Sequence, residues 1–380
     1  MTVAVVGAAE CDLGVTGLPV LTLQTQAVTR ALVDAGLGLG DVDGLATNGA
    51  GRFPVAQVAD SLRIDLAWSE SSFAGGAVFE MYVARAVQAI EAGQCETVVI
   101  SFASNQRSAA ARSLGVVSDP AMPEAQFEDP YGPLYPASYY AMAAQRYLEV
   151  HGASRRDLAE VAVAAREWAR RNPAAYRYGA GPLLVDDVLA APDVSTPLGA
   201  LDCCLVTDGG GAVVLTSLER ARDLPHPPVV VSGYGEATTN ASMTAHDDLL
   251  RTGAVDSGRR AFGHAGVAPA DIDVAMLYDS FTITVLLTLE ALGFCGPGEA
   301  PGLVRDGRAA PGGDLALNTN GGGLSYCHPG QYGVLLLVEA VRQLRGDCGL
   351  RQVPGAELAV AHGTGGILSS HATVVLAVDR

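Results

Sequence analysis

Short apolar runs and one-sided helical stretches alternate through both ends of this chain, the pattern of repeated strand–helix units. Near the start, residues 3–6 read as a strand and residues 24–35 as an amphipathic helix, after which Gly36-Leu-Gly-Leu-Gly-Asp-Val-Asp-Gly-Leu45 leads into a second strand. Near the end, residues 256–265 read as a helix, and Gly266-Val-Ala-Pro-Ala-Asp-Ile-Asp-Val-Ala275 leads into another strand. Both stretches share Ala-Gly, a short spacer and Asp-apolar-Asp ahead of the strand. A second echo joins Val83-Ala-Arg-Ala-Val-Gln-Ala-Ile90 to Leu337-Val-Glu-Ala-Val-Arg-Gln-Leu344. Each is a helix that is apolar on most faces, which belongs inside a protein. Each precedes a buried strand, at 97–101 and 357–361. Two such helices, one per half, predict an α/β fold in five layers, α/β/α/β/α, with pseudo-twofold halves. The N-terminal half takes residues 1–104 with 200–220, and the C-terminal half takes 228–380. Residues 105–199 read as an inserted helical region on the rim, with a Pro/Tyr-rich segment at 128–140, helices over 138–150 and 155–171, and nine of the 24 arginines.

Composition narrows the function. In 380 residues, 49% are apolar and 17% charged, so a large core is expected. The net charge of −17 argues against a nucleic-acid surface. No apolar run reaches the roughly 18 to 20 residues of a membrane span, and the N-terminus reads as a first strand. The seven cysteines are scattered and form no CxxC pair, which fits reduced thiols in the cytoplasm. All 24 basic residues are arginine. The absence of lysine excludes a Schiff-base aldolase, lysine-bound pyridoxal phosphate and a Walker-A site, since each needs the amine itself. No HxH or HExxH pattern points to a catalytic metal.

Candidate chemistry gathers in Asn318-Thr-Asn-Gly-Gly-Gly-Leu-Ser-Tyr-Cys-His-Pro-Gly330, followed by a helical run over 331–344. A glycine-rich loop exposes backbone N–H groups, and a helix start favours developing negative charge. Gly322, Gly323 and Ser325 are therefore candidate oxyanion or substrate donors. Tyr326 and His328 sit two residues apart, within reach of one small volume. Tyr278 follows the apolar strand 274–277, at the strand end where α/β sheets place reactive groups. It either faces the loop or packs with its hydroxyl satisfied. Asp279 reads as a cap of the helix 282–292. His362 and Gly363 lie in a second glycine turn at a strand end and are candidates to line the site. Ser72, without a defined base, is a weak nucleophile candidate.

With these residues in place, the chain resembles the thiolase superfamily, in the branch around sterol carrier protein X thiolase. The resemblance rests on Ala74-Gly-Gly-Ala77, Asp208-Gly-Gly, Tyr278-Asp-Ser-Phe281, Gly321 to Pro329 and the turn 363–366. It implies the five-layer fold, a homodimer and coenzyme-A thioester substrates. Where the family carries its acyl-accepting cysteine this chain has Phe73, flanked by Ser72, and Gly363-Thr364 stands at the other cysteine position. Cys327 replaces a glycine. No cysteine nucleophile is therefore expected. The pattern is similar to steroid side-chain-cleaving aldolases of the thiolase fold. That implies retro-aldol cleavage of a steroid β-hydroxyacyl-CoA, of the 17-hydroxy-3-oxo-4-pregnene-20-carboxyl-CoA type, to a 17-ketosteroid and propionyl-CoA. The thioester serves as electron sink, so no cofactor, metal or lysine is required. Tyr278 and Tyr326 are the expected proton-transfer pair, with His328 and the glycine loop holding the enolate. The resemblance also implies an OB-fold acyl-CoA-associated partner or a hydratase subunit. The alternatives are a thiolase or acyltransferase with a displaced nucleophile, and a non-catalytic thiolase-fold subunit.

Overall fold

The computed structural model describes residues 2–49, 51–110 and 119–379; residues 111–118 of the expected insertion lie outside the described residues. Its strands are β1 (Val3–Glu10), β2 (Gly44–Thr47), β3 (Trp68–Glu70), β4 (Thr97–Ser104), β5 (Asp193–Ser195), β6 (Leu198–Gly199), β7 (Gly209–Ser217), β8 (Val229–Thr238), β9 (Val274–Leu277), β10 (Ala316–Leu317), β11 (Leu358–Gly365) and β12 (Ser370–Val378). Ten of them pair in the order β10-β9-β11-β12-β8-β1-β7-β4-β2-β3. Read outward from the centre, this is one five-strand arrangement used twice. In the first half β3, β2 and β4 are parallel, while β7 and β1 run antiparallel. In the second half β10, β9 and β11 are parallel, while β12 and β8 run antiparallel. The halves meet at β1 and β8 through Ala4↔Val230 and Val5↔Val229.

Helix placement follows from which faces are apolar. The helix Val20–Ala35 buries Leu23, Ala27, Val28, Ala31, Leu32 and Ala35, a single stripe at helical spacing. It packs on β1, β7 and β4, and the helix Ala254–Ala265 packs on β8 and β12. By contrast, Val78–Glu91 and Gly333–Arg345 are buried on nearly every face. They touch each other and strands of both halves, so they form the middle layer of α/β/α/β/α. The expected helix and strand bounds grow by a few residues at several ends, as ladder and cap hydrogen bonds extend beyond the apolar pattern.

The Asp-apolar-Asp echo has a physical basis. Asp41 and Asp271 each accept the backbone N–H three residues before, from Gly38 at 2.9 Å and Ala268 at 2.8 Å. Asp43 then takes the N–H groups of Glu96 and Thr97 as β4 begins, and Asp273 those of Glu357 and Leu358 as β11 begins. The first carboxylate fixes a turn and the second registers the next strand.

The helices Ala137–His151 and Arg155–Ala169 lie over the outer face of the second half. There Tyr140, Tyr147, Leu158 and Val161 share a core with Phe281, Leu286, Leu277 and Val360. Among the described residues, no helix is long and apolar enough to cross a membrane.

Candidate active site

At the ends of β4, β9 and β11 a cavity of about 540 Å³ opens between the halves. Its walls include Phe73 and Gly76 from the turn before the first buried helix, Tyr278, Ser280 and Phe281 after β9, His328 from the glycine loop, and Thr364 and Gly365 of β11.

Tyr278 is held from two sides. Its N–H donates to His362 O at 3.0 Å, continuing the β9–β11 ladder. Its ring lies on Gly76, where a Cβ would come within 2.0 Å of the ring; only glycine leaves that space. The His328 Nε2 lies 3.2 Å from the Tyr278 hydroxyl, with the rings edge to face at 5.6 Å. Tyr332 stacks on His328 at 6.0 Å and 20°, and its hydroxyl donates to Asn320 Oδ1 at 2.8 Å. The His328 N–H donates to Thr207 Oγ1 at 3.0 Å. Gly330 N–H donates to His328 Nδ1 at 3.4 Å; with that nitrogen accepting, Nε2 is the ring nitrogen that can donate to the Tyr278 hydroxyl.

The glycine loop is spent inside the protein, which corrects the expected oxyanion donors. Gly323 N–H and Leu324 N–H donate to the two oxygens of Asp279 at 2.6 and 3.1 Å, and Gly322 N–H donates to Asn320 Oδ1 at 2.9 Å. A Cβ on Gly322, which has φ +64°, would lie 2.0 Å from Asp279 Oδ2. Asp279 does not cap its helix, whose N-cap is Phe281. It is fully buried, and burial pushes its pKa up to about 7 against the lowering effect of the two N–H groups. The loop closes as a π-helical turn over Gly322–Tyr326. The next helix begins only at Gly333, so His328 stands in the loop ahead of it and not at its first turn.

The structure brings Tyr278 and His328 together and places the other candidates elsewhere. The Tyr326 hydroxyl donates to Glu10 Oε1 at 2.7 Å, and Glu10 is ion-paired with Arg342. Burial, with the charge of Glu10, raises the Tyr326 pKa well above its ordinary value, and the residue does not line the cavity. Ser325 Oγ accepts from Arg166 Nε at 3.3 Å, away from the cavity. His362 is buried with Nδ1 2.8 Å from Thr373 Oγ1 and Nε2 3.3 Å from His371 Nδ1. Burial and then His371 depress its pKa, so it is neutral. Gly363 packs on the first buried helix, where a Cβ would come 2.2 Å from Glu80 Oε2. The backbone of Ser72 exchanges hydrogen bonds with the Tyr82 hydroxyl, at 3.0 and 2.8 Å. Cys327 lies against Thr207 Oγ1 at 3.2 Å, and burial pushes its thiol up to about 12. None of the seven cysteines lines the cavity. Among the described residues no group of three or more His, Cys, Asp or Glu is arranged to hold a metal. Sequence reasoning missed Tyr332 and Gly76. Tyr332 carried a signal, four residues after His328 at the start of the buried helix, and Gly76 carried none beyond its place in a glycine turn.

The family model described as "Thiolase C-terminal domain-like" matches residues 235–378. A 17-hydroxy-3-oxo-4-pregnene-20-carboxyl-CoA lyase of Mycobacterium tuberculosis is 38% identical over 379 residues, covering 95% of this chain and 96% of that one. A steroid side-chain-cleaving aldolase of Thermomonospora curvata is 37% identical over 392 residues, covering 100% and 98%. The solved structure of an Ltp2-ChsH2(DUF35) aldolase superposes with a TM-score of 0.91 at 34% identity, covering 100% of this chain and 98% of that one. The chain belongs to the thiolase superfamily, in the branch that holds the steroid side-chain-cleaving aldolases.

Proposed function

We propose that this protein is a carbon–carbon lyase that cleaves a steroid β-hydroxyacyl-CoA, of the 17-hydroxy-3-oxo-4-pregnene-20-carboxyl-CoA type, to a 17-ketosteroid and propionyl-CoA. Near full-length similarity to two such enzymes carries the reading. The Tyr278–His328 pair in the cavity supports it.

Retro-aldol chemistry removes the proton of the β-hydroxyl and breaks the bond between the hydroxyl-bearing ring carbon and the carbon alpha to the thioester. The electron pair becomes a thioester enolate, which is then protonated to propionyl-CoA. Tyr278 takes the hydroxyl proton. A phenol has an ordinary pKa of about 10, and a hydrogen bond donated to the phenolate lowers it; the Nε2–H of His328 is placed to do so. Returned through the same pair, the proton reaches the enolate carbon. No cofactor takes part beyond the coenzyme A carried by the substrate. Tyr326, bound to Glu10, which is in turn ion-paired with Arg342, braces the loop that carries His328.

The similar solved structure is titled with a DUF35 component, and the present chain is taken to work with an OB-fold partner of that kind, or with a hydratase subunit that carries it, as a homodimer. Phe73, 80% exposed beside the cavity, supports a covering partner there. Seven cysteines outside any disulfide fit the reducing cytoplasm. The test is to incubate the co-purified complex with the steroid thioester and quantify both products. Absence of propionyl-CoA, or a stable acyl adduct on the protein by mass spectrometry, overturns the lyase reading. The partner reading is checked by co-expression and size-exclusion chromatography.

A further inference from the structure

Tyr278 and Asp279 are consecutive residues just past the end of β9, and they do different work. Tyr278 lines the cavity; Asp279 is fully buried and does not. Asp279 Oδ1 accepts Gly323 N–H at 2.6 Å, and Oδ2 accepts Leu324 N–H at 3.1 Å. Burying a carboxylate is costly unless its oxygens are hydrogen-bonded, so the residue type at this position needs a reason. Two adjacent N–H groups call for two acceptor oxygens on one side chain. An asparagine or a hydroxyl residue brings one oxygen; an aspartate brings two. The side chain is therefore matched to holding two successive residues of the glycine loop at once.

Gly323 lies between that carboxylate and the imidazole of His328. A Cβ on Gly323 would come 3.0 Å from Asp279 Oδ1 and 2.9 Å from His328 Cδ2, so the glycine is a spacer held close on both sides. Its carbonyl accepts Leu205 N–H at 2.8 Å. Two residues further along the same segment, Thr207 Oγ1 accepts His328 N–H at 3.0 Å. At the other end of the loop, Asn318 Oδ1 accepts Leu277 N–H at 2.7 Å. The loop is thus pinned to the chain on both sides of Tyr278, and His328 Nε2 ends 3.2 Å from the Tyr278 hydroxyl. That is the outer edge of the roughly 2.6–3.2 Å over which a proton is passed. We propose that Asp279 is a positioning residue for the Tyr278–His328 pair: through Gly323, its carboxylate sets the separation of imidazole and hydroxyl. The assignment rests on the lyase reading, in which that pair moves the proton.

The test measures kcat and KM for propionyl-CoA release by the complex co-purified with its partner, at pH 8, above the Asp279 pKa of about 7. Asp279→Asn keeps the shape but loses one of the two acceptors. It should lower kcat about 10²-fold, the scale of a misplacement of about 1 Å, and leave KM within about threefold, because Asp279 does not line the cavity. Gly323→Ala keeps the carboxylate and displaces the imidazole instead, and should give the same split; it carries the test if Asp279→Asn fails to fold. Thr282→Val is the control for destabilisation alone. It removes the nearby buried hydrogen bond from Thr282 to Asp202, 2.9 Å long, and should lower Tm while keeping kcat within about threefold. Cleavage by the wild type with kcat within threefold in Asp279→Asn or Gly323→Ala overturns the positioning role and leaves the lyase reading standing. So does a rise in KM at unchanged kcat, or a loss of kcat in Thr282→Val as large as theirs. Absence of propionyl-CoA from the wild-type reaction overturns the lyase reading, and this assignment with it.

Discussion

The two helices of the middle layer are counterparts by position, yet they treat a buried carboxyl in opposite ways. On the first, Val78–Glu91, Glu80 is 1% exposed and neither carboxyl oxygen has a hydrogen-bond partner. Burial raises its pKa well above the ordinary carboxylate range, so it is carried as the neutral acid. On the second, Gly333–Arg345, Glu339 is 2% exposed and accepts Arg351 Nε and Nη2 at 2.9 and 3.0 Å and the Thr319 hydroxyl at 2.7 Å. The segments ahead of the helices differ likewise. The turn before the first supplies space, with Gly76 clearing room for the Tyr278 ring. The loop before the second supplies functional groups, His328 and Tyr332. A pseudo-repeat fixes where backbone goes and leaves the side-chain chemistry of each copy free.

The largest expected effect falls on Tyr278, which the first turn makes room for and the second loop faces. Tyr278→Phe keeps the ring on Gly76 and removes only the oxygen. It should lower kcat for propionyl-CoA release about 10³-fold with unchanged Tm; a loss below tenfold would move the proton transfer to another group.

Next comes the charged helix. Glu339→Ala leaves Arg351 buried and unpaired, and should cost about 3 kcal/mol in urea unfolding. Glu80→Gln keeps shape and breaks no bond, so its cost at acidic pH should stay under about 1 kcal/mol. Equal losses at the two positions would erase the distinction drawn between the helices.

Tyr326→Phe removes a hydrogen bond to the Glu10 carboxylate, worth about 2 kcal/mol of stability, and should leave kcat within about threefold. A thousandfold loss of kcat in a folded variant would return Tyr326 to the proton-transfer pair.

The last test of the contrast is a pH slope, at most about 1.4 kcal/mol for each pH unit. Glu80 has a folded pKa raised above its unfolded value. The native state therefore binds the extra proton between the two, and stability from this group is full below about pH 4.5 and falls as pH rises through the folded pKa. Unfolding free energy of the wild type should drop relative to Glu80→Gln by at most about 1.4 kcal/mol per pH unit on the alkaline side. Parallel curves would show Glu80 to be ionised.

Much of this architecture was legible along the chain, because burial on one face or on all faces leaves a period that a reader can count. The strand at residues 274–277, the two fully buried helices and the paired Asp-apolar-Asp turns were visible on that basis. The direction of Tyr326 was not. A spacing of two puts Tyr326 and His328 on one side only in an extended segment. Here Tyr326 ends a π-helical turn, and Cys327 turns extended at φ −162° before His328. The fate of the loop's N–H groups was equally hidden, since their acceptor, Asp279, lies 44 residues before Gly323.

By itself the sequence determined the five-layer class, the doubled half and the exclusion of lysine chemistry, because these depend on residue type and local period; it named Tyr278 and His328 as candidates and left open whether Tyr278 faces the loop. Only the tertiary structure decided which polar groups line the cavity. That depends on partners brought in from distant segments, which took up Tyr326, Ser325, His362 and the glycine N–H groups and left the hydroxyl of Tyr278 facing the imidazole of His328 in the cavity.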